Sequence, residues 1–134
     1  MPELFSAEWD VKFKELWNSG DGIMAQLRKS RFNSVVAFGL DGEDQPRCVL
    51  TVSEGQLVSI GAPAHETIVW DLRAKMEDWQ DWMKKPPSLM KLGLAYTTRK
   101  LKFNKGDYAA MIKEPGLSGA FVKCFELMSK AALS

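Results

Sequence analysis

His65, the one histidine in the chain, stands beside Glu66, and an imidazole next to a carboxylate is where acid–base chemistry would first be sought. The pair follows Pro63-Ala64 in a loop, and no serine or cysteine stands in a nucleophile motif with it. Adjacent His and Glu lack metal-ligand spacing, and no Cys or Asp company makes a zinc set. Asp78 and Asp81, with Glu77 nearby, lie three apart on a helix and read as its wet side, opposite Trp79. Gly20-Asp21-Gly22 and Gly39-Leu40-Asp41-Gly42 lack the strand-to-helix context of a phosphate loop. Cys48 alternates with Leu50 and Val52, and Cys124 sits in a helix face, so both are expected as buried free thiols. Lys100, Lys102 and Lys105 can meet a carboxylate, a CoA phosphate or an anionic membrane. Alternating lysines equally protect a sheet edge from aggregation. Arg28, Lys29 and Arg31 read as a solvated helix end. These residues predict no catalytic cluster, no metal and no cofactor.

What dominates instead is large apolar side chains. The stretch from Leu89 to Met111 passes from an apolar helical run through the alternating strand Lys100-Leu101-Lys102-Phe103-Asn104 into a second apolar helix. With 5 Trp, 7 Met and 7 Phe, the chain is rich in residues that build cores and also line adaptable pockets. That pattern points to a protein that holds something apolar. A net charge of +1 argues against a nucleic-acid footprint. No run of about twenty apolar residues is present to span a membrane. The acidic start MPELFSAEWD lacks the layout of a signal peptide, so a cytoplasmic location is expected.

The elements that must position these residues follow from hydrophobic period. Ser6 caps a helix whose stripe is Trp9, Phe13, Leu16 and Trp17, broken at Asn18-Ser19-Gly20-Asp21-Gly22. A short helix with Ile23, Met24 and Leu27 inward follows. The period then shortens to two over Ser34–Leu40, Arg47–Val52, Gln56–Ile60 and Thr67–Leu72, joined by turns at Asp41–Asp44 and Ser53-Glu54-Gly55. Helices are predicted over Ala74–Lys84, Leu89–Tyr96, Tyr108–Ile112 and Ser118–Ala132, with Glu114-Pro115-Gly116 as a stop before the last. On that last helix Phe121, Cys124, Phe125, Met128 and Ala132 make the apolar arc, with Leu127 and Ala131 at its edge. No linker or repeat divides the 134 residues, so residues 1–134 form one α+β domain: about five mainly antiparallel strands covered by helices.

That order resembles the sterol carrier protein type-2 family of nonspecific lipid-transfer domains. The resemblance rests on Val35-Val36-Ala37-Phe38 leading into Asp41-Gly42, on Gly55 through Gly61, on Thr67-Ile68-Val69-Trp70, and on Lys100 through Asp107. It covers roughly Phe32 to Leu133. Two departures concern one place: Arg99 stands where a glycine is usual, and the segment from Lys100 to Gly106 is one residue longer, which a bulge would absorb. The ending Ala132-Leu133-Ser134 does not match a peroxisomal address.

The resemblance implies an apolar tunnel between sheet and helices, a lipid ligand (fatty acid, acyl-CoA or a sterol-like or isoprenoid molecule) and carriage without chemical change. Candidate lining residues are Trp79, Trp82, Met83, Met90, Leu94, Phe103, Phe121, Phe125 and Met128. Phe121, Phe125 and Met128 would gate the tunnel if the last helix swings as a lid. Expected partners are the lipid and a transient membrane surface, with the chain a monomer or dimer. The rival readings are an accessory or assembly factor that presents a lipid-like intermediate to an enzyme complex or docks through an exposed apolar patch, an enzyme on an apolar substrate using His65, Asp41 or Asp107, and a domain usually fused to a catalytic partner.

Overall fold

A computed structural model describes residues 2–19, 23–29 and 31–133. Gly20, Asp21 and Gly22, in the expected break after the first helix, lie outside the described residues, as does Ser134. Helix α1 (Ala7–Asn18) opens where Ser6 accepts a hydrogen bond from the Trp9 amide at 3.2 Å. Its apolar stripe buries Trp9, Phe13 and Trp17. Short α2 (Met24–Lys29) precedes β1 (Ser34–Leu40), β2 (Cys48–Ser53) and β3 (Gln56–Gly61). Then come β4 (Trp70–Ala74), α3 (Met76–Lys84), α4 (Leu89–Thr97), β5 (Lys102–Lys105), α5 (Tyr108–Lys113) and α6 (Pro115–Leu133).

The strands lie in the order β3-β2-β1-β4-β5. β1–β2, β2–β3 and β4–β5 are antiparallel, while β1 and β4 run parallel at the centre. The fourth strand starts three residues later than its alternation predicts. β4 pairs with β1 only from Trp70 opposite Val36, and just before it the Val69 amide reaches Val35 O at 3.0 Å. Leu72 and Ala74 therefore belong to β4, and α3 begins at Met76. Pro115, expected to end a helix, instead opens α6, because a first-turn residue needs no amide donor and proline's φ already suits the helix. The apolar arc of α6 is correspondingly turned, with Leu127 and Ala131 fully inside.

Both departures around Arg99 have structural counterparts. In the β4–β5 ladder Asp71 faces Lys105 and Leu72 faces Phe103, so Asn104 is the extra residue of a bulge. Arg99 itself has φ +63°. The Lys100 amide donates to Ala95 O at 2.8 Å and the Arg99 amide to Tyr96 O at 3.1 Å, the paired bonds of a left-handed helix cap normally built on glycine. Arg99→Gly should therefore raise stability by about 1 kcal/mol, read as a higher urea midpoint at unchanged slope.

The helices cover one sheet face, and α6 is the axis of that layer, touching α1, α2, α3, α4 and α5. Three indole N–H groups fasten the layer to backbone oxygens: Trp9 to Met128 O (3.2 Å), Trp17 to Gly55 O (2.9 Å) and Trp79 to Gly39 O (2.9 Å). Gly55 has φ +82° in the β2–β3 turn, and its amide reaches Phe32 O at 2.9 Å. A Cβ there would press on the Arg28 backbone N and lie 2.8 Å from Leu27 C and Met24 O. Gly55→Ala should thus cost at least about 1–3 kcal/mol by thermal melt and shift α2 away from the sheet.

On the opposite face, Asp71 and Arg73 are buried at 5% and 2% exposure. Arg73 holds Asp71 bidentately, at 2.7 and 3.1 Å. It also donates to Leu40 O (3.2 Å) and Glu43 O (2.6 Å), so it binds the β1–β2 turn down over the sheet.

An apolar cavity between sheet and helices

Where α2, α5 and the first half of α6 cross the sheet, their side chains do not quite meet. Val36 and Phe38 of β1 and Leu72 of β4 form the floor. Trp17, Ile23, Leu27 and Phe32 form one wall, and Met111, Leu117, Ala120, Phe121 and Cys124 the other. The space is about 60 Å3, and its lining is almost wholly carbon. It exists because Ala120 and Cys124, one turn apart on α6, present small side chains to the sheet between larger neighbours.

Cys124 is the lining's only readily ionisable side chain. Burial pushes its thiol up to about 12, from an ordinary 9.0. Cys48 is also buried and free. Its thiol is raised well above normal by burial first and then by Asp10, whose Oδ1 accepts from it at 3.6 Å. Burial likewise raises the Asp10 carboxyl, partly offset by that thiol. A raised thiol stabilises the fold fully below the unfolded value and loses that contribution as pH rises through the folded one. The melting temperature should hold up to about pH 9 and fall toward 12, less steeply in Cys124→Ala than in wild type.

Of the nine side chains expected to line a tunnel, Phe121 lines this cavity. Trp79, Met83, Phe125 and Met128 belong to the buried apolar core, with Trp82 packed against it. Trp79 stacks on Phe125 at 5.9 Å and meets Trp82 edge-on at 5.3 Å. Phe121 joins that cluster to the cavity through Phe125 at 5.4 Å. Phe103 stands against Phe121 at 6.2 Å. Met90 and Leu94 lie on the outer side of α4, 85% and 63% exposed. Trp17, Leu27, Phe32, Met111, Leu117, Ala120 and Cys124 are lining residues that the tunnel expectation did not include. The signal that would have found them is the small pair Ala120 and Cys124 within a helix of Phe, Leu and Met.

The expected lid also looks different in place. Beyond Phe121, α6 is held by Phe125, Leu127, Met128 and Ala131, all buried, and by the Ser129 hydroxyl donating to Met83 O. The cavity's short walls are α2 and α5, of six residues each.

Other hollows offer less. A groove of about 880 Å3 between α1 and β3 is lined by Asp10, Lys14, Glu15 and Asn18 as well as Val11 and Val58. A smaller one gathers Asp41, Lys75, Glu77, Asp78, Asp81, Arg99 and Lys100. His65 is exposed on its loop. Among the described residues no set of three or more His, Cys, Asp or Glu is placed to hold a metal, and no helix is long and apolar enough to cross a membrane.

No protein-family model matches the sequence, and no curated protein matches it. Solved structures do. A crystal structure of sterol carrier protein 2 has a TM-score of 0.70 at 18% identity, over 96% of this chain and 98% of that one. A conserved hypothetical protein from Thermus thermophilus, described as a candidate sterol carrier protein, has 0.70 at 16%, over 97% and 90%. A ubiquinone synthesis protein, UbiJ-SCP2, has 0.59 at 14%, over 100% and 98%. At these identities the shared property is the fold: the five-stranded mixed sheet and its helices are those of sterol carrier protein 2.

Proposed function

We propose that this chain is a lipid carrier, taking an acyl, sterol-like or isoprenoid tail into the cavity between sheet and helices and releasing it unchanged. The observation that carries the reading is the carbon-lined space under α5 and α6, in a fold shared with sterol carrier proteins. Tail burial supplies roughly 0.8 kcal/mol per methylene, so affinity needs shape and apolar lining rather than a fixed polar motif. About 60 Å3 is below the roughly 300–1,000 Å3 of a drug-sized ligand's pocket, so uptake must widen the space. The six-residue helices α2 and α5 are the walls that can move at least cost, with Phe121 turning aside. Transfer without chemistry agrees with a lining whose thiol stays protonated near neutrality. The carrier would work in the cytoplasm.

A second reading has one observation in its favour, the full-length likeness to a ubiquinone synthesis protein. In that case the chain holds a lipid-like intermediate for an enzyme complex.

The test is to purify the protein, extract it with organic solvent and identify what is released by mass spectrometry. Fatty acid, acyl-CoA and sterol are then added in turn. A bound ligand should change the emission of Trp17 and raise stability by about 2.7 kcal/mol at a hundredfold excess over Kd. No extracted lipid, and no response to any of the three, would end the carrier reading; such a protein that still captures an enzyme partner would favour the accessory one.

A further inference from the structure

The residue pattern of α4 is apolar nearly all round, yet only Leu92 and Ala95 turn into the core. Met90, Gly93, Leu94 and Thr97 follow the i, i+3, i+4, i+7 spacing of one outward stripe. Leu89 and Tyr96 flank it, also exposed. Scattered apolar residues on a surface need no explanation, but four on one nine-residue helix make a continuous face.

The segment that carries it has charges of one sign. From Trp82 to Gly106 the chain has Lys84, Lys85, Lys91, Arg99, Lys100, Lys102 and Lys105 and no acidic residue. Lys102 is paired with Asp41 at 3.0 Å, and Arg99 and Lys100 share a groove with Asp41, Glu77, Asp78 and Asp81. Lys85, just before α4, and Lys91, on its flank, are exposed and lie outside that groove.

The same helix is linked to the cavity wall through aromatic contacts. Tyr96 stacks on Tyr108 of α5 at 4.3 Å, and the Tyr108 hydroxyl sits over Gly93, where a Cβ would meet it at 3.0 Å. Tyr108 meets Phe103 at 5.8 Å, and Phe103 meets the cavity-lining Phe121 at 6.2 Å. An unbroken run of aromatic rings thus leads from the flank of α4 to the cavity.

We propose that α4 is a membrane-docking helix. It seats Met90 and Leu94 among the acyl chains of an anionic bilayer, with Lys85 and Lys91 at the headgroup phosphates, and so turns the α4–α5 side of the cavity toward the lipid. Apolar side chains flanked by the exposed Lys85 and Lys91 fit a surface of anionic headgroups over acyl chains. The proposal rests on the carrier reading for its purpose and can fail independently of it.

The experiment is co-sedimentation with phosphatidylcholine vesicles and with vesicles of equal phosphatidylcholine and phosphatidylglycerol. A parallel assay measures uptake of a fluorescent fatty acid from buffer without vesicles. Wild type should favour the mixed vesicles, and added salt should weaken that preference. Met90→Asp with Leu94→Asp should reduce binding about tenfold or more, and Lys85→Glu with Lys91→Glu should abolish the preference for anionic lipid. All four side chains are exposed, so the variants should melt like wild type and still take up fatty acid. Docking is overturned if wild type ignores both vesicle types, or if the double-aspartate variant binds them as wild type does. Loss of self-association in that variant, with no vesicle binding by wild type, would assign the face to a second copy and also overturn docking. Fatty-acid uptake in either case leaves the carrier reading standing, and vesicle binding through α4 with no uptake sinks the carrier reading alone.

Discussion

Ala120→Leu should melt at a higher temperature than wild type and bind fatty acid about tenfold more weakly, each from the same added carbons. Ala120 is buried on α6 and faces the cavity of about 60 Å3. A leucine there enters empty space rather than neighbouring atoms, and filling such space commonly adds about 0.5–2 kcal/mol. The space it takes is space a lipid tail would occupy. Losing room for about two methylenes, at roughly 0.8 kcal/mol each, weakens binding by about one power of ten. The opposite signs distinguish this from ordinary core substitution, where overpacking costs about 1–3 kcal/mol. Melting curves with and without fatty acid decide it. A destabilised Ala120→Leu that binds lipid normally would mean that the tail lies elsewhere.

Asp71→Ala should be the most damaging single change on the helix-free face of the sheet, costing about 3–5 kcal/mol. It leaves the Arg73 guanidinium at 2% exposure without its bidentate carboxylate, keeping only Leu40 O and Glu43 O. Against a total of about 5–15 kcal/mol, that loss should depress the melting temperature by many degrees. Replacing both members with apolar residues, Asp71→Val with Arg73→Met, should recover much of the loss, because the isolated charge rather than the lost attraction carries most of the cost. A single alanine variant within about 1 kcal/mol of wild type would show that water reaches Arg73.

The strands, α1 and the helix stripes were legible because a buried face imposes its period on the sequence: Trp9, Phe13 and Trp17 recur every fourth residue, and Val36, Phe38 and Leu40 every second. What stayed hidden depended on partners distant in sequence. Nothing in Thr67–Val69 reveals that the ladder with β1 begins only at Trp70, opposite Val36. Nothing in Leu89–Thr97 reveals which side of an all-round apolar helix faces out. The cavity was least visible of all, since a void belongs to no residue. It arises from how Ala120 and Cys124 oppose Val36, Phe38 and Leu72 across the layers.

The bond from the Trp9 indole to Met128 O spans 119 positions, and α1 packs directly on α6. During synthesis, then, α1 emerges from the ribosome long before its partner exists. Trp17 can settle on the β2–β3 turn early, but Trp9 must wait for its cover until α6 has been made. The β1–β2–β3 hairpins can close early, while the central β1–β4 pairing and the helix layer close late, so folding should be gated by the arrival of α6. A nascent chain stalled before α6 should remain sensitive to protease and attractive to chaperones, however well its strands have already paired.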